Sequence, residues 1–308
     1  MSAVTECRNK DSFSRFHPAV NFTYFALVLG FSMMLTHPVC QAVSLICSIA
    51  YAVDLCGIRG TFFCMKYALP MFLLTAIISP AFNHAGVTIL TYLPSGNPLT
   101  LESILYGLSS GCMLGTLLIW FLCVNRVITS DKFVYLFGRI VPSLSLLFSM
   151  ILRFIPRFTA QFKTVSNVRK SISGDTENES LLHKLKTAAT IFSITMTWSL
   201  ENAIETADSM KSRGYGLKGR TAFTAYQWEE RDKIAMAWLI FCGFTVLCGQ
   251  LAGLTEWRYL PTITNLNTDT DMTPLTVFVQ AVYLFLCLTP VIINIREGIQ
   301  WKKSESTI

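Results

Sequence analysis

From Tyr67 to Leu101 the chain runs for 35 residues without one Asp, Glu, Lys or Arg. Soluble proteins carry about 25% charged residues, so a water-exposed stretch of that length would hold several. A lipid bilayer is the solvent that tolerates their absence. The rest of the chain agrees: 52% of its 308 residues are hydrophobic and 14% charged, with mean hydropathy +0.47. The composition describes a polytopic membrane protein and excludes a soluble globular enzyme.

Apolar, uncharged segments place about six spans, at residues 19–35, 39–56, 67–82, 103–125, 234–255 and 272–295. A short loop over 57–66 carries Arg59 and Lys66 between the second and third. Residues 83–100 remain as an apolar loop or partial re-entrant piece, which lipid accepts only where other protein buries the backbone. Pro70, Pro80, Pro94 and Pro98 interrupt the uncharged run. In the fourth span Gly107, Gly111 and Gly115 repeat a small residue every fourth position, a face suited to close helix contact. The organisation is therefore an N-terminal membrane part (1–125), a non-membrane block (126–233) and a C-terminal membrane part (234–308).

Six spans place both termini, the 57–66 loop and the 126–233 block on one side. Near the span ends that side carries fifteen basic residues, against Arg258 alone on the other. The positive-inside rule makes the basic side cytoplasmic and locates the chain in the cell membrane as a multi-pass protein. The net charge of +6 is accounted for in this way and gives no reason to expect a nucleic-acid partner. The ten cysteines are scattered, mostly through apolar spans, and none forms CxxC. They read as small apolar residues rather than a metal or disulfide framework. His17, His37, His84 and His183 lie far apart and suggest loop or interface positions, so no catalytic, cofactor or metal site is expected.

The block from 126 to 233 reads as helices lying against the membrane. Pro142 suits the first turn of one. Along it Arg153, Arg157, Gln161 and Thr164 share a face, with Phe154, Phe158, Phe162 and Val165 beside them, and Pro156 should kink or split it. Arg169 and Lys170 follow, then Ile172-Ser173-Gly174 and a polar linker over 176–180. A second helix should run from Leu181 to Arg213, with Glu201, Glu205, Asp208 and Ser212 at i, i+4, i+7 and i+11 as one polar stripe. Interfacial helices touching lipid headgroups would suit the basic face of the first. Anionic lipid would repel the stripe on the second, so a protein partner explains it better. Gly214 and Gly216 tolerate positive φ and should end this helix, leaving Arg213 in its last turn.

Two phosphate-loop patterns match here, Gly214-x-Gly216-x-x-Gly219 and Gly214-x4-Gly219-Arg220-Thr221. Both mechanisms need a strand before the glycines and a helix after them. A helix precedes these glycines, and the lysine that a P-loop requires is Arg220. Nucleotide binding is not supported.

Leu152-Arg153-Phe154-Ile155-Pro156, the run from Ala207 through Ser212-Arg213-Gly214 to Tyr215, and Gly219-Arg220-Thr221 resemble the transmembrane T component of energy-coupling factor (ECF) transporters. The chain is likewise similar to the cobalt-transport Q-type permease family, and Phe16-His17-Pro18 resembles the family's opening. The resemblance covers nearly the whole chain and is sharpest over 152–221. It implies an all-α integral membrane protein with two long cytosolic coupling helices, each ending in Ala-Arg-Gly and each docking on one of two ABC-type ATPase subunits. A separate membrane-embedded S component would bind the vitamin or transition-metal ion. The chain itself would do no chemistry and bind no cofactor, ATP being used by the partner ATPases. On this resemblance Ser212, Arg213 and Gly214 form the second docking motif. Ser173 and Gly174 occupy the first, where serine replaces arginine and Arg169 or Lys170, about one turn back, is a candidate replacement. Arg153, Arg157, Glu201, Glu205 and Asp208 line the supporting helix faces. The rival is a stand-alone secondary transporter or channel, which would need ionisable groups at mid-membrane, whereas Asp54 and Glu102 sit at span ends.

Overall fold

The computed structural model describes residues 11–83, 85–92, 98–138, 142–173, 181–215, 226–260, 264–265 and 273–305. They divide into two compact units, one formed by Met1–Thr129 with Tyr226–Ile308 and the other by Ser130–Ala225.

The first unit opens with a single 3-10 turn, Phe13–Arg15, followed by α1 (Pro18–Met34) and α2 (Pro38–Phe82). A ribbon of β1 (Ile89–Tyr92) and β2 (Pro98–Thr100) leads into α3 (Leu101–Val127). The second unit holds α4 (Ser130–Gly138), α5 (Pro142–Ser173) and α6 (Leu181–Ser212). The chain then returns to the first unit as α7 (Glu230–Leu251), the small ribbon β3 (Trp257–Arg258) with β4 (Thr264–Asn265), and α8 (Pro274–Glu305). Helices dominate, and the chain is an all-α membrane protein. Among the described residues four helices, α2, α3, α7 and α8, are long and apolar enough to cross a bilayer, while α1 at 17 residues is a shorter apolar helix.

Both His-Pro pairs start helices by the same device. His17 and His37 are the N-caps of α1 and α2, and each Nδ1 accepts the backbone N–H two residues on, at 3.2 Å. Pro18 and Pro38 fill the first helical positions, where a missing N–H costs nothing.

At 45 residues α2 is about 67 Å long if straight, more than twice the hydrocarbon thickness. It is not straight. Gly57 sits at φ +69°, ψ 170°, outside helical geometry. Beyond it the helix turns back, because residues from both arms meet one level of α3. Gln41 accepts a hydrogen bond from Ser109 at 2.7 Å, while the backbone oxygens of Phe72 and Ala76 crowd Gly111 and Gly107. The two arms, 38–56 and 58–82, are thus antiparallel passes joined by one residue. The 57–66 loop expected from the sequence does not exist. Arg59 and Lys66 lie instead on the exposed side of the second arm.

The passes alternate between two ends of the bundle. At one end the Asn294 side chain accepts from the N–H groups of Ser12 and Phe13 (3.1 and 3.2 Å) and donates to Asp11 and Asp54 (2.7 and 2.6 Å). There too His17 N–H donates to the buried Asp232 carboxylate at 3.4 Å, and the His17 ring stacks on Trp228 at 4.1 Å. At the other end Thr36 Oγ1 accepts from Trp257 N–H at 3.0 Å, and Gln280 lies 3.4 Å from His37. Between them lies an aromatic and cysteine core. Tyr24, Tyr51 and Trp120 are fully buried, Tyr24 Oη donates to the Cys287 carbonyl (3.0 Å), and Trp120 Nε1 donates to Ser44 Oγ (3.2 Å). Cys40, Cys47, Cys123, Cys242 and Cys287 fill this core as unbridged thiols.

Span limits shift modestly elsewhere, with α8 continuing to Glu305 beyond the expected 295. The 83–100 segment differs more. Its described residues pair as β1 and β2, with β1 exposed on both faces and Thr100 at the end of β2 buried.

Candidate functional site

The second unit carries the residues singled out in the sequence. Its longest elements, α5 and α6, have 32 residues each, about 48 Å. Pro142 begins α5 as expected, but Pro156 does not split it; the helix runs through to Ser173. The two helices meet near their midpoints. The Phe158 ring packs edge-on against Trp198 with centroids 5.8 Å apart, and the Arg157 guanidinium lies over the Trp198 ring at 5.6 Å. Arg153 lies over Phe154, 5.8 Å from its centroid. The basic face of α5 therefore contributes a cation–π contact to the helix pair, worth about 0.5–1 kcal/mol at exposed sites, while Arg153 and Arg157 remain exposed.

The end of α6 is built residue by residue. Tyr215 N–H bonds to Met210 O at 3.1 Å and Gly214 N–H to Lys211 O at 3.0 Å, with Gly214 at φ +75°. This is the Schellman arrangement, in which a left-handed residue just past the C-cap closes the last carbonyls. It makes Arg213 the C-cap. Its side chain is exposed and has no ion-pair or hydrogen-bond partner among the described residues. Ser212 Oγ donates back to Ser209 O at 2.9 Å, which keeps the hydroxyl on the helix. Glu201, Glu205 and Asp208 are all exposed, an acidic stripe that runs toward an end carrying two exposed cations, Lys211 and Arg213. The helix dipole favours a cation at that terminus.

The corresponding end of α5 is only partly in view. Ser173 is its last helical residue, while Gly174, the 176–180 linker, Gly216 and the 219–221 motif lie outside the described residues. Arg169 is half-buried with its Nε shielded and unpaired among the described groups, whereas Lys170 is exposed. Of the two candidate replacements for the missing arginine, Lys170 is the more exposed.

Both helices also expose apolar side chains, among them Ile155, Phe162 and Ile172 on α5 and Phe192, Leu200 and Ile204 on α6. Sequence reading caught the polar stripe and placed Phe162 on the aromatic face of α5, but not that this surface stays exposed, because no hydrophobic period distinguishes a face packed within the chain from one kept for something else. Among the described residues no group of three or more His, Cys, Asp or Glu is placed to hold a metal ion.

No family model matches the chain. Curated proteins do. It is 33% identical over 101 residues to the energy-coupling factor transporter transmembrane protein EcfT of Lactobacillus helveticus, covering 32% of this chain and 36% of that one. It is 25% identical over 191 residues to EcfT 1 of Listeria monocytogenes, covering 57% and 70%. The EcfT of Lactococcus lactis subsp. cremoris matches at 33% over 101 residues, 32% and 38% of the two chains. The chain is homologous to ECF transporter T components. The stretch aligned with the first of these T components spans about a third of that relative's length. With the helices α2, α3, α7 and α8, homology to the T components makes this a multi-pass membrane protein.

Proposed function

We propose that the chain is the transmembrane coupling subunit of an ECF-type importer. Two ABC-type ATPase subunits bind and hydrolyse ATP, and this chain passes their movement to a membrane-embedded S component that carries a vitamin or a transition-metal ion. The chain itself catalyses nothing. The second unit faces the cytoplasm, as do both termini, in accord with the fifteen-to-one distribution of basic residues near span ends. The observation that carries the reading is the α6 terminus, a rigid 32-residue helix whose glycine cap presents Arg213 exposed at its tip. Such an end suits insertion into an acidic groove of a soluble subunit, where guanidinium makes bidentate, charge-assisted hydrogen bonds. The exposed apolar side chains along α5 and α6 fit a surface on which an S component moves.

Co-purification of the ATPases with wild type, Arg213→Ala, Arg213→Lys and Arg213→Glu tests the reading. ATPase recovery should fall in the order wild type, Lys, Ala, Glu, with membrane levels of the chain unchanged. Equal recovery across all four would refute the docking role.

A further inference from the structure

We propose that the β1–β2 hairpin is an interfacial membrane anchor, seated in the headgroup zone of the leaflet at the Thr36–Trp257 end of the bundle. Four observations lead there. First, β1 (Ile-Leu-Thr-Tyr) is exposed on both faces, with Leu90 at 54% and Tyr92 at 66%. Successive strand residues point to opposite sides, so Ile89 and Leu90 present apolar side chains in both directions, as in a strand meant to be covered on both faces. Second, the hairpin continues the exposed apolar surface of the second arm of α2, where Ile77, Ile78 and Phe82 are exposed, Phe82 at 82%. That surface belongs to a membrane pass, so the covering solvent beside the hairpin is lipid.

Third, the hairpin is held rigidly at the mouth of the membrane domain. The Glu102 carboxylate accepts from Thr88 N–H (3.1 Å) and Thr88 Oγ1 (2.6 Å), and Ser103 Oγ donates to Asn83 O at 2.6 Å. A Cβ on Gly86 would stand 2.6 Å from Thr100 Oγ1 and 2.7 Å from Glu102. The base is therefore closed around a glycine, and the strand's position follows that of α3. Fourth, Trp257, Tyr259 and Tyr106 cluster at this end, the Tyr rings 6.3 Å apart, as an aromatic belt does at headgroup level.

The depth follows from the backbone. A two-stranded ribbon has two open edges whose N–H and C=O groups need partners, and the hydrocarbon core supplies none. The headgroup zone supplies water and phosphoester oxygens while still covering Ile89, Leu90 and Tyr92. The anchor fixes the level of α2 and α3 in the membrane, and it is independent of what the second unit binds.

The test uses the purified full-length chain alone in nanodiscs. Leu90→Trp and Tyr92→Trp are compared with wild type, and the added tryptophan emission is taken as the difference. Both sites are exposed, and Tyr92→Trp retains an aromatic ring, so folding does not depend on either. Lipids brominated near the headgroup end of their chains should remove most of the added emission, lipids brominated near the methyl end should remove less, and soluble acrylamide should remove little. Quenching by acrylamide with none by either lipid would overturn the proposal in favour of a water-exposed hairpin. Stronger quenching from the methyl end would overturn it in favour of a re-entrant one.

Discussion

Arg213 caps α6 and Ser173 is the last helical residue of α5, each helix being 32 residues long, and chemistry separates the two ends. A guanidinium seated in an acidic groove leaves a buried charge unpaired when truncated, a loss of about 2–5 kcal/mol. At tenfold per 1.4 kcal/mol, Arg213→Ala should weaken ATPase binding by roughly 30- to several-thousand-fold. Ser173 offers no charge, so the α5 end should dock weakly and lean on exposed Lys170. Ser173→Arg should then raise ATPase retention in pull-downs and Lys170→Ala lower it; unchanged retention in both would show that α5 docks through other groups. A residue-level pH effect belongs to His37. Burial lowers its pKa from 6.5, in keeping with a neutral ring whose Nδ1 accepts the Val39 N–H. The folded state thus binds this proton less tightly than the unfolded one, so the contribution is complete above 6.5 and is lost as pH falls through the depressed value. The midpoint of thermal unfolding in detergent should drop on acidification below pH 6.5, and His37→Asn, which keeps a capping acceptor, should flatten that slope.

At the scale of elements, the glycines show which sequence signals were legible. The repeat at 107, 111 and 115 announced a close helix contact, and two of its three members make one: a Cβ on Gly111 would lie 2.8 Å from the Phe72 carbonyl, and one on Gly107 would lie 3.0 Å from that of Ala76. A Cβ on Gly115 would meet nothing within 4 Å. Gly111→Leu should therefore destabilise by about 1–3 kcal/mol through forced displacement, while Gly115→Ala should be neutral. Gly57→Ala should cost about 1–3 kcal/mol, because φ +69° with ψ 170° is a region that essentially only glycine enters. Thermal unfolding of the purified variants measures all three. The helix formed by 58–66 was illegible because Arg59 and Lys66 look like loop residues until one sees that a single glycine completes the turn. The acidic stripe and the α6 stop could be read directly, since a 3.6-residue period and a terminal glycine are local signals. The exposed apolar face of the second unit could not, for burial depends on neighbours that periodicity does not name.

For the whole molecule, the alternating hydrogen-bonded ends accord with six passes, counting α1 and both arms of α2, and the distribution of basic residues gives the direction proposed above. Single cysteines introduced at Glu205 in α6 and Arg258 in β3, in a background freed of native cysteines, should respond oppositely to an impermeant thiol reagent on intact cells. Arg258→Cys should label and Glu205→Cys should not; the reverse pattern would invert the topology. The Gly57 turn also bears on how the protein is made. A connection one residue long leaves no slack for the first arm of α2 to settle among lipids while the second is still being synthesised. The two arms must leave the insertion machinery as a paired hairpin, and a tag or protease site inserted after Gly57 would obstruct biogenesis rather than decorate a surface loop.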